Sequence, residues 1–308
     1  MTTAFVFPGQ GSQSLGMMAD LAAQFPVVTD TFAQASEALG YDLWNLVQNG
    51  PEEKLNETDK TQPAMLAAGV AAWRVWQEKG GAMPAFLAGH SLGEYTALVA
   101  GGAIAFADAV SLVADRGRFM QEAVPAGTGA MAAILGLEDA QVAEVCDAAS
   151  QGEVLQPVNF NSPGQVVIAG TATAVQRAVP VATEKGAKRA IILPVSVPSH
   201  CDLMRPAAER LAVRLAGISI QAPSIPVLHN ADVAAYSDAD KIRDALVRQL
   251  YSPVRWVETV QWFEAKGVTT IVECGPGKVL AGLNKRIVRT MSAFPVLDVD
   301  SLNKALAG

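Results

Sequence analysis

Short apolar runs recur along this chain, and each ends in a turn bearing Gly or Pro that leads into an amphipathic segment. Residues 4–7 lead into Pro8-Gly9-Gln10-Gly11, residues 85–88 into Gly89-His90-Ser91-Leu92-Gly93, and residues 269–273 into Cys274-Gly275-Pro276-Gly277. Runs this short and this uniformly apolar predict strands covered on both faces. Their alternation with helices predicts a mostly parallel sheet. The longest apolar stretch, residues 81–107, is interrupted by Pro84, His90, Glu94 and Gly101-Gly102. It reads as a buried strand–turn–helix rather than a membrane span.

Between residues 130 and 193 the order changes. The pattern predicts a strand at 130–135, a helix at 138–149 and a strand at 154–160. A turn at Asn161-Ser162-Pro163-Gly164, a strand at 165–169, a helix at 172–185 and a strand at 189–193 follow. Pro180 is the weak point of that last helix. The order βαββαβ is the ferredoxin-like split unit, and the turn chemistry supports its central hairpin. The expected fold class is therefore α/β, with a parallel-sheet core formed by residues 1–126 and 197–308. A small ferredoxin-like subdomain, residues 127–196, is expected to be inserted in it. Gly127-Thr128-Gly129 and residues 194–198 are the expected hinges.

Composition narrows the class. Of 308 residues, half are apolar and 17% charged, which fits a well-buried enzyme rather than a disordered chain. The net charge of −7 offers no dominant basic face, so no nucleic-acid partner is expected, and an acidic partner would need a local basic patch. The start, Met1-Thr2-Thr3-Ala4, has no basic region and shows no signal peptide. Cys146, Cys201 and Cys274 lack CxxC spacing, which predicts neither a zinc site nor a disulfide framework. A cytoplasmic protein is the resulting expectation, acting as a monomer, with no membrane partner.

Gly89-His90-Ser91-Leu92-Gly93 fits G-x-S-x-G between an apolar run and a helical one. A sharp strand-to-helix turn strains the serine backbone and needs neighbours without side chains. It also places the hydroxyl at a helix N-terminus, where N–H groups can stabilise an oxyanion. The plainer alternative is a packing turn with a capping serine. A serine nucleophile needs a base, and the chain has three histidines. His90 adjoins the serine, and adjacent side chains on an elbow point apart. His229 ends the apolar run 225–228 and reads as a strand-end residue. His200 follows an extended stretch and precedes a helix, and is the favoured base. No acid stands out as its partner: Asp202 reads as an early residue of the following helix, which leaves a backbone carbonyl as the alternative.

Arg116 lies on the predicted helix 106–123. Its neighbours three and four positions away are Leu112, Val113, Phe119 and Met120, whereas Arg118 has Ala114, Asp115, Gln121 and Glu122 there. Arg116 is thus on the buried face, and a buried guanidinium needs an anion. That anion is either an internal carboxylate or a substrate carboxylate gripped by the guanidinium fork. With a serine acyl-enzyme, the second option points to a dicarboxylic thioester.

These segments, taken in order, resemble the malonyl-CoA:acyl carrier protein transacylases of type II fatty-acid synthesis over essentially the whole chain. Phe7-Pro8-Gly9-Gln10-Gly11-Ser12-Gln13, Thr61-Gln62-Pro63-Ala64, the elbow through Tyr95 and Arg116-Gly117-Arg118-Phe119-Met120 carry the likeness. So do Asn159-Phe160-Asn161-Ser162-Pro163-Gly164-Gln165, Val197-Pro198-Ser199-His200-Cys201 and residues 273–280. The resemblance implies an α/β-hydrolase-like core with a ferredoxin-like insertion. It implies Ser91 as nucleophile, His200 as base, Arg116 on the malonyl carboxylate and the N–H groups of Gln10 and Leu92 as the oxyanion hole. It further implies that the backbone carbonyl of Gln249 orients the histidine; without it, Gln249 reads as a solvated helix residue. No permanently bound cofactor is implied: malonyl-CoA is a substrate, and phosphopantetheine is carried by the acyl carrier protein. Lys185, Lys188 and Arg189, with Lys278, Lys285, Arg286 and Arg289, are candidates for docking that acidic carrier; each taken singly is also an ordinary solubilising charge. A serine thioesterase or esterase is a rival, although no HGGG loop appears and the last histidine is His229. A stand-alone acyltransferase of polyketide or malonate metabolism is another.

Overall fold

The computed structural model describes residues 2–195 and 197–308. Its strands, in chain order, are β1 (Thr3–Phe7), β2 (Phe86–Gly89), β3 (Gly129–Leu135), β4 (Leu155–Ser162), β5 (Gln165–Thr171), β6 (Arg189–Ile192), β7 (Val227–His229), β8 (Ala234–Ala235), β9 (Thr270–Cys274) and β10 (Ser292–Val296). Six form one sheet in the order β10-β9-β1-β2-β7-β8, parallel except for the β7–β8 pair.

The uniform apolarity of β1 follows from burial on both faces. Phe5 and Phe7 turn to one side, where Phe5 meets Trp73 and Trp76 of the helix Thr58–Glu78 edge-to-face, with ring centroids 5.5 and 5.0 Å apart. Ala4 and Val6 turn to the other side, into a second apolar layer with Trp256 and Phe263. Each fully buried large apolar side chain contributes roughly 1.5–3 kcal/mol, so a sheet walled on both sides is a rigid platform for the turns that leave it.

The remaining four strands form an antiparallel sheet in the order β4-β5-β3-β6. One face is covered by the helices Asp139–Ser150 and Ala172–Glu184. The other turns Met131, Val158, Val167 and Ala169 toward Cys201 of the large body. Backbone bonds also tie β4 to that body: Phe160 N–H donates to Val254 O at 3.0 Å and Val254 N–H to Val158 O at 2.8 Å.

Local departures from the sequence expectation have physical reasons. The hairpin turns on Pro163-Gly164 alone, because Ser162 pairs with Gln165 and the register shifts between Phe160 and Ser162 absorb the extra residue. The helix Ala172–Glu184 runs through Pro180, held by the buried faces of Val175, Ala178 and Ala182 against the cost of about 3 kcal/mol that an interior proline carries. Of the expected hinge 194–198, Ser196 lies outside the described residues. Among the described residues no helix is long and apolar enough to cross a membrane. The cleft lies between the two sheets, at the carboxyl ends of β1 and β2, where parallel sheets place ligands.

Candidate active site

The turn after β2 is forced by contact. A Cβ on Gly89 would lie 1.8 Å from the Gly93 carbonyl carbon, and one on Gly93 would lie 2.0 Å from Phe7 O. Only glycine lets the helix Gly93–Ala100 start this close to β1 and β2. Between them Ser91 sits at φ 52°, a left-handed backbone held by its N–H donating to Asn230 Oδ1 at 2.7 Å. Asn230 Nδ2 donates in turn to Gly89 O at 2.7 Å, so one side chain staples both limbs of the elbow.

Ser91 Oγ lies 2.7 Å from His200 Nε2. The other ring nitrogen, Nδ1, lies 2.7 Å from Gln249 O. A carbonyl only accepts, so Nδ1 carries the proton and Nε2 presents its lone pair to the hydroxyl. His200 is 3% exposed, at φ 67°, and its N–H donates to Leu250 O at 3.0 Å. Burial, reinforced by the neighbouring Arg116 charge, pushes its pKa down to about 3. Asp202 instead takes Gln156 Nε2 at 2.9 Å and Arg205 Nε at 2.7 Å. The Gln249 carbonyl, and no acid among the described residues, faces Nδ1 of His200.

The other two histidines lie elsewhere. His90 Nε2 meets Asn161 Oδ1 at 2.8 Å beside the Trp256 ring. His229, fully buried at the end of β7, holds Glu94 Oε1 at 2.6 Å through Nδ1.

Arg116 is 1% exposed and Arg118 is on the wet face, as helical spacing implied. Its acceptors are all neutral: Gln62 Oε1 at 2.8 Å, Gln249 Oε1 at 3.0 Å and Ser91 Oγ at 3.3 Å. Three of the five guanidinium N–H groups are used, which leaves one on Nη1 and the buried Nε without an acceptor among the described residues. The internal ion pair that was the alternative reading is absent among the described residues. Burial pulls the guanidinium pKa below its usual value, yet arginine stays charged, and the site holds a desolvated cation with open donors.

The cleft encloses about 130 Å³. Gln10 and Leu92 line it, and neither N–H has an acceptor among the described residues. Met120, Met131, Leu193 and Val197 supply apolar wall. The arrangement combines a hydroxyl with an imidazole aligned on it, free backbone donors lining the same cleft and a buried cation with open donors.

Glu94, Asn230 and Gln62 were assigned no role from sequence. Glu94 is the single charge in the helix Gly93–Ala100, which sets it apart in the sequence, but its full burial and its partners appear only in the fold. Gln249 is also fully buried, not solvated, and works through its side chain as well as its carbonyl. Of the candidate docking charges, all seven are exposed. Lys188 and Arg286 line one groove, where Arg286 Nη1 donates to Gln165 Oε1 at 2.9 Å. Lys185 is taken up by Glu144 at 2.7 Å.

Residues 4–301 match the acyl transferase domain family. The chain is 61% identical over 303 residues to the malonyl CoA-acyl carrier protein transacylase of Salmonella typhimurium, covering 98% of each. Its structure superposes on an acyl carrier protein S-malonyltransferase from Vibrio cholerae with a TM-score of 0.97, at 62% identity over 99% of both chains. It also superposes on a malonyl transacylase solved with a type II polyketide-synthase acyl carrier protein, at a TM-score of 0.99 and 60% identity, covering 100% of this chain and 99% of that one.

Proposed function

The chain belongs to the acyl transferase domain family, and from that premise we propose that it moves a malonyl group from coenzyme A to acyl carrier protein in fatty-acid synthesis. The observation that carries this reading is Arg116: a buried cation, 3.3 Å from the Ser91 hydroxyl, with no carboxylate partner among the described residues. A malonyl thioester bound with its free carboxylate on that guanidinium brings its other carbonyl to Ser91 Oγ.

His200 Nε2 accepts the Ser91 proton as Oγ attacks the thioester carbonyl. The N–H groups of Gln10 and Leu92 hold the developing oxyanion, each worth about 3 kcal/mol of barrier. The C–S bond breaks, the thiolate takes the proton from His200, and coenzyme A leaves malonyl-Ser91 behind. The phosphopantetheine thiol of the carrier then loses its proton to His200 and attacks the ester. Ser91 Oγ departs and is reprotonated, so the kinetics are ping-pong. The Gln249 carbonyl keeps the imidazole in the tautomer this requires.

Residues 127–196 act, in this reading, as a ferredoxin-like subdomain inserted into an α/β-hydrolase-like body of residues 1–126 and 197–308. The strand order β6-β3-β5-β4 supports that assignment. Lys188 and Arg286 are the best-supported docking charges, with the exposed Ile191, Ile192 and Val195 nearby in sequence to Lys188 as apolar contacts. The likeness to the polyketide transacylase favours one second reading, a polyketide carrier as the acceptor, with the same chemistry.

Arg116→Ala tests the clamp. Malonylation of Ser91 should fall at least about a hundredfold, since two charge-assisted hydrogen bonds are lost, while acetyl transfer holds or rises. Equal loss with both acyl groups would refute it.

A further inference from the structure

Arg116 and Glu94 are opposite charges that the fold buries at 1% and 0% exposure without pairing them. Gln249 stands between. Its Oε1 accepts from Arg116 Nη2 at 3.0 Å, and its Nε2 donates to Glu94 Oε2 at 2.9 Å and to Ser91 O at 2.9 Å. A carboxamide has one accepting end and one donating end, and turning it over would face N–H against N–H at the guanidinium. Glu94 and the Ser91 carbonyl can take only the donating end, so together they fix which way the amide points, and Glu94 is the charged member of that pair. Glu94 is itself fixed, by His229 Nδ1 at 2.6 Å and by the Asn230 N–H at 2.8 Å.

We propose that Glu94 is a positioning residue for substrate choice: through the Gln249 carboxamide it aims the Arg116 guanidinium and supplies its counter-charge from one residue away. The separation is the functional feature. A carboxylate placed directly on Arg116 would satisfy the N–H groups that the malonyl carboxylate must reach, and the substrate would have to displace it. With no anion in the cleft, the desolvated cation would have only neutral dipoles to offset the cost of burial. Holding the anion behind an amide keeps the charge balanced and the donors open. The same amide also clasps Ser91 O, so the clamp and the nucleophile share one anchor.

This inference rests on the malonyl-transfer reading, and the test separates the two. Rates of Ser91 acylation by malonyl-CoA and acetyl-CoA are followed by intact mass in the unmodified enzyme, Arg116→Ala, Glu94→Gln and the double variant. Glu94→Gln should lower the malonyl-to-acetyl ratio about tenfold, as the counter-charge is lost and a charge-assisted hydrogen bond becomes a neutral one, with acetylation the less affected. In the Arg116→Ala background the same change should leave the ratio where it was. A merely structural Glu94 would slow both acyl groups alike, and that result, or an unchanged ratio, overturns the proposal. If Arg116→Ala itself leaves the ratio untouched, the malonyl reading fails first. Should Glu94→Gln not fold, Gln249→Met carries the same test: it cuts the link in the middle and leaves Glu94 on His229 and Asn230. An unchanged ratio there is equally fatal.

Discussion

His200 is held neutral by its surroundings: burial first, then the Arg116 charge, lower its pKa from 6.5 to about 3. Between those values the unfolded chain binds a proton that the folded one does not. Folding stability therefore falls as the pH drops below 6.5 and is unaffected by this group above it. The folded imidazole, by contrast, stays neutral across that range. Malonylation of Ser91 is expected to hold level from about pH 8 to about pH 5, and an acid limb centred near the ordinary histidine value would contradict the burial argument. The burial of Arg116 was legible because helical spacing put it among Leu112, Val113, Phe119 and Met120. Glu94 was not, because what makes its burial tolerable is an N–H of Asn230, 136 residues away. No local pattern announces a partner at that distance.

Elements were easier to read than their ends. The alternation of strand and helix was visible because each core strand is apolar on both faces, and the helix Phe106–Ala123 carries its stripe without a break. The stop of β4 was not visible: Ser162 is polar, looks like a turn residue and is buried in the ladder. Surface charge is less legible still, since exposed lysines follow no period. Only the fold brings Lys188, just before β6, into one groove with Arg286 from the helix Val279–Ile287. Reversing both, Lys188→Glu with Arg286→Glu, should raise the carrier-protein KM about fivefold at low salt, with malonylation by malonyl-CoA the readout for intact chemistry. An unchanged KM would remove this groove from the docking surface.

Across the whole molecule, the two sheets share one cleft because β4 is laced to Val254 and the antiparallel sheet packs its second face against Cys201. That packing carries Asn159 and Met131 to the edge of a cleft whose Ser91, His200 and Arg116 come from the other sheet's turns and helices. Everything then depends on Ser91 accepting an acyl group from a thioester at this convergence. The most direct measurement is the intact mass of the protein after brief exposure to malonyl-CoA, alongside Ser91→Ala, followed by addition of holo acyl carrier protein. The account predicts one added malonyl group on the unmodified chain, none on the variant, and its quantitative passage to the carrier. No adduct, an adduct that survives in Ser91→Ala, or release of free malonate in place of malonyl-carrier would contradict it.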